Sequence, residues 1–308
     1  MADTALHALL AGAVDYAGLF PPAGLPMATA VAKYAEYRAG SDAWALGRFV
    51  VPTARLAELE RAAEESATKA PIEPWRLSAL VGANAAEDLR SLGEFNCRHA
   101  APGAVALAAD VIEAKAETVE AVKRLLAAVP RWAQAYVEVP LATDPRPLVD
   151  AIARHSGRAK MRTGGITPEA IPTAAQILHF IRACTDARVA FKATAGLHHP
   201  LRAEYRLTYE ADSPHGTMFG YLNVFLTAVL LRQGLSAPDA LALLEERSPA
   251  AFRVSQDAVE WRGHRADRQA IEVARREGIV AFGSCSFTEP VGEMRTIGPW
   301  QDPSLRSG

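Results

Sequence analysis

Lys160 and Lys192 each lie inside a short apolar run that leads into glycine, in the segments AKMRTGG and VAFKATAGL. An ammonium group is almost never fully buried without a partner or a role. Two lysines held close together in an apolar site would lower each other's pKa by desolvation and like-charge repulsion, and an amine deprotonated in this way is a nucleophile at neutral pH. The chemistry that this pair predicts is Schiff-base formation with a carbonyl compound. The alternative is that each amine extends from a helix or an edge strand into water.

The elements that must hold these lysines alternate along the chain, with short β-rich runs separated by longer helical stretches, which is typical of a parallel sheet. Eight such runs predict an α/β protein whose fold class is a (β/α)8 TIM barrel, and 308 residues suffice for one barrel of about 250 residues with an insertion. We therefore expect residues 1–308 to form a single barrel domain. The predicted strands are residues 13–16, 48–52, 77–82, 105–109, 135–140, 159–163, 189–196 and 279–284.

The stretch between the seventh and eighth predicted strands is far longer than one crossover needs. Residues 200–278 are expected to form an inserted helical subdomain, with an apolar helix over 216–231, a second helix capped by Ser236, and a small hairpin over 252–262. Elsewhere, Thr53 and Thr167 are expected to begin crossover helices.

The polar residues that follow the predicted strands are the candidates for a site, because a TIM barrel carries its active site at the carboxyl ends of its strands. Side chains on a strand repeat their facing every second residue, so Arg162 faces as Lys160 does and Thr194 faces as Lys192 does. The predicted catalytic residues are Lys160, Lys192, Glu138 and Asp110. The predicted substrate-binding residues are Asp15, Tyr16, Arg162, Thr163, Thr194, Gly196, His198, His199, Gly283, Ser284 and Ser286.

Five segments, in the correct order, resemble the 2-deoxyribose-5-phosphate aldolases, a family of class I, Schiff-base aldolase barrels. They are VDYAGLFPPA, FVVPTARL, KMRTGG, FKATAGL and FGSCSF, and they are similar to that family's first, second, sixth, seventh and eighth strands. The two lysines are 192 − 160 = 32 positions apart, one strand-helix unit, as that family requires.

The resemblance implies that Lys160 forms the Schiff base, that Lys192 lowers its pKa, and that the backbone at Gly196, Gly283 and Ser284 holds an anionic group of the substrate. The chain also departs from the family pattern. Where the family has a strand-four Asp in its proton relay, this chain has Ala106 or Ala108, and Asp110 falls a few residues late. Arg162, His198 and His199 also differ from the family's usual residues, and residues 200–278 have no counterpart there.

Several candidates have a plainer interpretation. Glu138 could be a general base made more basic by burial, or a surface carboxylate at a strand end. Asp15 could position a substrate hydroxyl or cap a turn, and Arg162 could bind an anionic tail or form an ion pair with Glu138. Cys285 is a possible nucleophile, but no base is linked to it in sequence, which favours a buried and inert thiol.

Two other functions remain open. A metal-dependent lyase or hydrolase would use His198, His199 and His215 with Asp110 or Glu138 as an oxygen ligand, although the spacing matches no metal motif and we expect no metal site. A non-catalytic barrel would bind a ligand or partner through the insertion, with the apolar helix over 216–231 as its interface.

The composition favours a small-molecule substrate. Half of the residues are apolar and the formal net charge is −2, which is not the footprint of a nucleic-acid or anionic-membrane binder. The three cysteines lack C-x-x-C spacing and the amino-terminal residues lack a basic stretch, so we expect a cytoplasmic protein. We expect no organic cofactor, because the lysine iminium is itself the electron sink, and the protein can form a homo-oligomer. The longest apolar run is shorter than the roughly 20 residues that span a bilayer.

Overall fold

Eight parallel strands close into a barrel in the computed structural model, which describes residues 4–66 and 74–295. Each overlaps one predicted strand, so the (β/α)8 fold class is confirmed. The barrel strands are β1 (Val14–Tyr16), β2 (Leu46–Pro52), β3 (Trp75–Leu80), β4 (Leu107–Lys115), β5 (Gln134–Glu138), β6 (Arg158–Arg162), β7 (Phe191–Thr194) and β13 (Ile279–Ser284). They follow this order around the barrel, and β13 pairs with β1 to close it.

Helices cover the outside of the barrel. They are α2 (Met27–Ala39), α3 (Leu56–Ser66), α4 (Ala85–His99), α5 (Val119–Ala128), α6 (Arg146–Arg154) and α7 (Ala174–Asp186), with α1 (Ala5–Leu10) before β1, α10 (Arg268–Glu277) leading into β13, and α11 (Thr288–Met294) after it. The strands are buried on both faces, because one face points into the barrel and the other packs against these helices.

Helix α7 begins later than the sequence predicts. Thr167 makes no side-chain capping bond, and only a 3-10 turn follows it at Pro168–Ala170. The helix starts at Ala174, where the Thr173 side chain accepts a hydrogen bond from the Gln176 amide and the Gln176 side chain reciprocates, forming a capping box. Thr53 likewise begins a 3-10 turn, Thr53–Arg55, and α3 follows it.

The segment between β7 and β13 contains strands as well as helices. An antiparallel pair, β8 (Ala203–Arg206) and β9 (His215–Met218), is followed by α8 (Tyr221–Arg232) and α9 (Ala237–Glu245). A three-stranded antiparallel sheet, β10 (Phe252–Val254), β11 (Ala258–Trp261) and β12 (His264–Asp267), then precedes α10. The helix predicted over 216–231 starts later because its first residues pair with β8, and the predicted hairpin gains a third strand.

Helix α8 is buried on every side. All its residues from Tyr221 to Leu230 are buried, and the helix packs against α7, α9, α10 and β13. The Asn223 side chain donates to the carbonyls of Leu243 and Glu246 and accepts from the Arg202 amide. Apolar residues all round a helix indicate core rather than interface. Within the described ranges, no helix is long and apolar enough to cross a membrane.

Candidate active site

Lys160 and Lys192 lie side by side inside the barrel. They are paired in register on the adjacent strands β6 and β7, and their exposed fractions are only 5% and 1%. Both line a cavity of about 580 Å³ at the carboxyl ends of the strands, together with residues of the loop after β7. The predicted facing of the two lysines into the barrel therefore holds in the structure.

A single buried carboxylate, Glu113 on β4, contacts both amines. Lys160 Nζ lies 2.9 Å from Glu113 Oε2, and Lys192 Nζ contacts Oε1. The Ser78 hydroxyl, on β3, donates to Oε1 at 2.6 Å. Burial favours the neutral form of Glu113, but the charges of Lys160 and Lys192 outweigh it and hold the pKa well below its usual range. Glu113 is therefore an anion that bridges two cations.

Two further carboxylates complete a charged cluster, which we define as Asp15, Glu113, Glu138, Lys160 and Lys192. Asp15 Oδ2 lies 2.8 Å from Lys192 Nζ, and Glu138 Oε2 lies 2.6 Å from Lys160 Nζ. The Asp15 side chain also accepts from the Arg48 amide at 2.8 Å, so it is fixed from the β2 side. Charges thus alternate across the barrel, with each amine between two carboxylates.

The expectation that the lysines lower each other's pKa is wrong for Lys192. Burial disfavours its charge, but the carboxylates of Asp15 and Glu113 outweigh burial and raise its pKa. The sequence-based argument assumed an apolar surrounding, whereas the cluster contains three carboxylates. Lys192 is therefore a fixed cation next to Lys160.

Glu113 was missed in the sequence because the fourth strand was predicted to end at residue 109. In the structure β4 continues to Lys115, so its carboxyl end carries Glu113 instead of Asp110. The available signal was the β-branched pair Val111 and Ile112 immediately before the glutamate, which extends the strand pattern.

Asp110, predicted to be catalytic, lies outside the cavity. Its carboxylate forms two hydrogen bonds with Arg48, at 2.8 and 2.7 Å, and contacts Arg76. Burial alone would raise the pKa of Asp110, but these two guanidinium groups lower it. The prediction is wrong because Asp110 lies in the first half of β4, away from the carboxyl ends.

Arg162 brings an uncommitted positive charge to the mouth of the cavity. Its side chain is exposed, lines the cavity, and makes no ion pair or hydrogen bond with any residue in the described ranges. The alternative ion pair with Glu138 does not form, because Glu138 contacts Lys160 and, at 3.7 Å, Lys115. Thr194 and Gly283, also predicted to bind substrate, line the cavity nearby.

Gly196 lets two strand ends approach closely. Its φ is +80°, in the left-handed region, and a Cβ there would come 3.0 Å from the Gly164 Cα. Only glycine fits this position without strain, and the chain then turns to bring His198 and His199 to the cavity wall.

Asp15 and Ser284, which contact Lys192 and His198, do not line the cavity, and neither do three other predicted substrate-binding residues. Tyr16 packs against Tyr34, Tyr37 and Phe49, because alternation along β1 turns it away from the side that Asp15 faces. The Thr163 hydroxyl donates to the Ala195 carbonyl, and the Ser286 hydroxyl accepts from the Glu289 amide at the start of α11. These predictions are wrong because backbone groups or packing already occupy the side chains.

The histidines have separate partners. His198 Nδ1 lies 3.0 Å from Glu289 Oε2 and 3.3 Å from the Ser284 hydroxyl. His199 Nδ1 lies 2.8 Å from Glu293 Oε2, and its ring stacks on Tyr205 at 3.5 Å. His215 is exposed on β9. Among residues 4–66 and 74–295, no group of three or more His, Cys, Asp or Glu side chains could hold a metal ion, so this geometry does not favour the metal-dependent alternative.

Comparisons with protein-family models, curated proteins and solved structures found no match. A barrel by itself does not identify a reaction, because the same fold supports many unrelated ones. The interpretation of this site therefore depends on its own residues and their geometry.

Proposed function

We propose that this protein is a class I aldolase-like lyase that forms a lysine Schiff base with a small, anionic aldehyde or ketone. The observation that carries the proposal is the position of Lys160 and Lys192, which flank one carboxylate inside a cavity at the carboxyl ends of the barrel strands. The motif resemblance to 2-deoxyribose-5-phosphate aldolases supports the same chemistry.

Lys160 is the proposed nucleophile. To attack a carbonyl carbon it must first lose a proton, and Glu113 and Glu138 both lie within reach to accept it. Lys192 keeps its proton because Asp15 and Glu113 raise its pKa, so it stays a cation on the far side of Glu113 from Lys160. The different surroundings of the two lysines thus give them different roles.

The proposed reaction forms an imine on Lys160 and then breaks a carbon–carbon bond of the substrate. The neutral Lys160 nitrogen bonds to the carbonyl carbon, and the carbonyl oxygen leaves as water with one proton from that nitrogen and one from the carboxylic acid that had accepted the ammonium proton. The β-hydroxyl of the substrate then gives its proton to the carboxylate, the carbon–carbon bond breaks, and its electron pair moves onto the iminium to give an enamine while the first aldehyde leaves. Protonation of the enamine and addition of water release the second product and the free amine.

Glu138, 2.6 Å from Lys160 Nζ, is the proposed proton carrier at this centre, and Glu113, which accepts from Ser78 Oγ at 2.6 Å, holds the two amines in place. Glu113 lies on β4, the strand that carries the acidic relay residue in the resembling family, but its charge is paired with the two lysines.

The rest of the cavity fits an anionic substrate. Arg162 offers a fork of donors at the mouth, and the Gly196 and Gly283 backbones lie at the ends of the neighbouring strands β7 and β13. Phe20 and Ile166 add apolar wall, which suits the carbon chain of a small carbonyl compound.

The test is borohydride reduction in the presence of a panel of small aldehydes and sugar phosphates, followed by peptide mass spectrometry. We expect a reduced adduct on Lys160, none in Lys160→Arg, and less adduct in Lys192→Met, because that variant removes the cation that shares Glu113 with Lys160. Lys123→Arg, an exposed lysine on α5, is the matched control and should keep the adduct. Absence of an adduct on Lys160 across the panel would exclude the imine.

A non-catalytic binding barrel is the second candidate, favoured by the ion pairs that hold both lysines in the resting cluster. Such a barrel would bind an anion at Arg162 without covalent change. Calorimetry that detects binding of a sugar phosphate which borohydride never links to Lys160 would support it. The burial of α8 within the chain argues against the form of this hypothesis in which that helix is an interface.

A further inference from the structure

A second group of reactive side chains lies in the wall of the same cavity. Cys285, directly after β13, is buried and lines the cavity. Its Sγ lies 3.9 Å from His198 Nε2 and 3.7 Å from the Tyr209 hydroxyl. The sulfur therefore faces two hydrogen-bonding groups from outside its own strand, which the sequence could not reveal because His198 is 87 positions away.

The second ring nitrogen of His198 is held by a carboxylate. Glu289 Oε2 lies 3.0 Å from His198 Nδ1, and the ring is only 7% exposed. Burial opposes the imidazolium, but hydrogen bonds with Cys285 and Glu289 outweigh it and raise the pKa of His198 to about 9. Thiol, imidazole and carboxylate thus stand in the order that activates a cysteine nucleophile, with the base oriented by a third group.

We propose that Cys285, His198 and Glu289 form a second nucleophilic centre, in which the Cys285 thiolate adds reversibly to the carbonyl carbon of an aldehyde in the cavity. The thiol proton passes to His198 Nε2, and the sulfur bonds to the carbonyl carbon. The carbonyl oxygen takes the proton back from the imidazolium, giving a thiohemiacetal. No electron is gained or lost, and reversal releases the same aldehyde.

The titratable groups around this centre come from several elements of the fold. Glu289 and Tyr209 contact Cys285 or His198 directly, and Tyr209 Oη also donates to Glu289 at 3.1 Å. Tyr16 and His199 lie further out, and burial raises the pKa of the Tyr16 phenol, which keeps it neutral. The reactivity of the thiol is independent of the proposed lyase, whereas the choice of an aldehyde rests on that proposed function.

The first test compares the cysteines of the full-length wild-type protein. Limiting iodoacetamide at about pH 6, with peptide mass spectrometry, should modify Cys285 about 10-fold faster than Cys97, because His198 Nε2 is positioned to take the proton of the Cys285 thiol. Cys97 is the more exposed thiol, so accessibility alone predicts the opposite order. Modification of Cys285 at or below the Cys97 rate would overturn the thiolate.

Variants then test the partners. His198→Gln should slow Cys285 modification about 10-fold at that pH while leaving Cys97 unchanged, and His155→Gln, an exposed histidine after α6, should change neither. Equal Cys285 rates in His198→Gln and wild type would remove the histidine from the proposal. The wild-type comparison decides the matter even if this variant folds poorly.

A third measurement tests the electrophile separately from the imine. Glyceraldehyde at saturating concentration should slow the alkylation of Cys285 in Lys160→Met, where no imine can form at residue 160. Full protection of wild type with none in Lys160→Met would exclude the thiohemiacetal and leave the lyase standing. Protection in Lys160→Met without any borohydride adduct in wild type would exclude the lyase and leave the thiohemiacetal standing.

Discussion

At the scale of single residues, the site depends on Glu113, a carboxylate that forms ion pairs with two lysines. Removing one member of a buried charge pair is costly because it leaves its partner buried and uncompensated. Glu113 has two such partners and a hydroxyl donor, so it is the residue where a conservative change should have the largest effect.

Glu113→Gln keeps the shape and removes the charge. We expect it to lower the free energy of unfolding by about 3 kcal/mol near neutral pH, measured by urea denaturation. The matched control is Glu117→Gln, an exposed residue beyond the end of β4, which should change stability by less than about 0.5 kcal/mol.

The stability difference between wild type and Glu113→Gln should also depend on pH. The folded state depresses the pKa of Glu113, so its stabilisation is complete above the unfolded value of about 4.3 and is lost as the pH falls below it. The stability difference between wild type and Glu113→Gln should therefore shrink under acid conditions. A difference that stayed constant from neutral to strongly acid pH would show that Glu113 is not ionised in the cluster.

Arg162 carries the second prediction. Arg162→Gln should weaken the apparent affinity for glyceraldehyde 3-phosphate about 10-fold in borohydride trapping, because a charge-assisted hydrogen bond is lost. Trapping of neutral glyceraldehyde should be unchanged, and this substrate is the internal control. An equal loss for both aldehydes would instead mean that Arg162 shapes the cavity.

Sequence could predict some of these residues and not others. Lys160, Arg162, Lys192 and Thr194 followed from the period of two along strands that were placed correctly. Glu113 did not follow, because its position depended on where β4 ends, and strand ends are set by pairing with neighbours. The contact of Cys285 with His198 joins two loops, and no local pattern encodes such a contact.

At the scale of elements, the loop after β7 and helix α11 are joined by the contact between His198 and Glu289. A histidine whose pKa is raised in the fold contributes stability below its unfolded value of about 6.5, and that contribution is lost as the pH rises through about 9. This link should therefore weaken as solutions become alkaline.

Glu289→Gln tests the link. The free energy of unfolding of wild type should fall between about pH 6.5 and pH 9 by roughly 1 kcal/mol more than that of the variant, a value reduced for the partial exposure of Glu289. Thermal or urea unfolding at both pH values measures it. Glu204→Gln, an exposed residue on β8, should retain the wild-type slope, and a wild-type slope in Glu289→Gln would contradict the assignment.

Helix α8 gives a further prediction. Asn223→Leu removes an amide that satisfies two carbonyls and one N–H, so it should lower the free energy of unfolding by about 3 kcal/mol in urea. Thr227→Val is the control within the same helix, since its hydroxyl bonds only the Asn223 carbonyl, and should cost less than about 1 kcal/mol. Equal losses in the two variants would mean that packing and not the amide matters.

The starts of helices α9 and α7 show when a local sequence pattern is enough to predict where a helix begins. The Ser236 cap of α9 was predicted and is confirmed, because its side chain accepts from the Asp239 amide three residues on, a purely local contact. The Thr167 prediction failed although its local pattern was equally good. Thr173, six positions after Thr167, forms a reciprocal capping box with Gln176, and the helix begins there. The sequence alone does not show which of the two threonines caps the helix.

At the scale of the whole molecule, the insertion is packed onto the barrel. Strand β11 contacts α1, β12 contacts α8 and α10, and the Ala5 amide donates to the Gln256 carbonyl at 2.7 Å. These contacts predict that the three-stranded sheet does not unfold by itself. In hydrogen–deuterium exchange at rising urea, peptides of β11 and β12 should lose protection at the same concentration as peptides of β4 and β5. Earlier loss in the sheet would identify a separate unfolding unit.

The barrel was predictable as a whole because its eight strands are short apolar runs separated by helical patterns, and eight strand-helix units are the number that closes into a (β/α)8 barrel. The sequence could not predict the β8–β9 pair. Strand β9 begins at the exposed His215, and its other residues were predicted to be the first residues of an apolar helix. Pairing between distant segments, and not local preference, decides such strands.

Closure of the barrel joins residues from opposite ends of the chain, since the three-residue β1 pairs with β13. Without residues 279–284, β1 and β7 would lose the strand that pairs with both of them. Unpaired strand edges can pair with other chains, so a truncated chain that ends before β13 should aggregate more readily than the whole barrel.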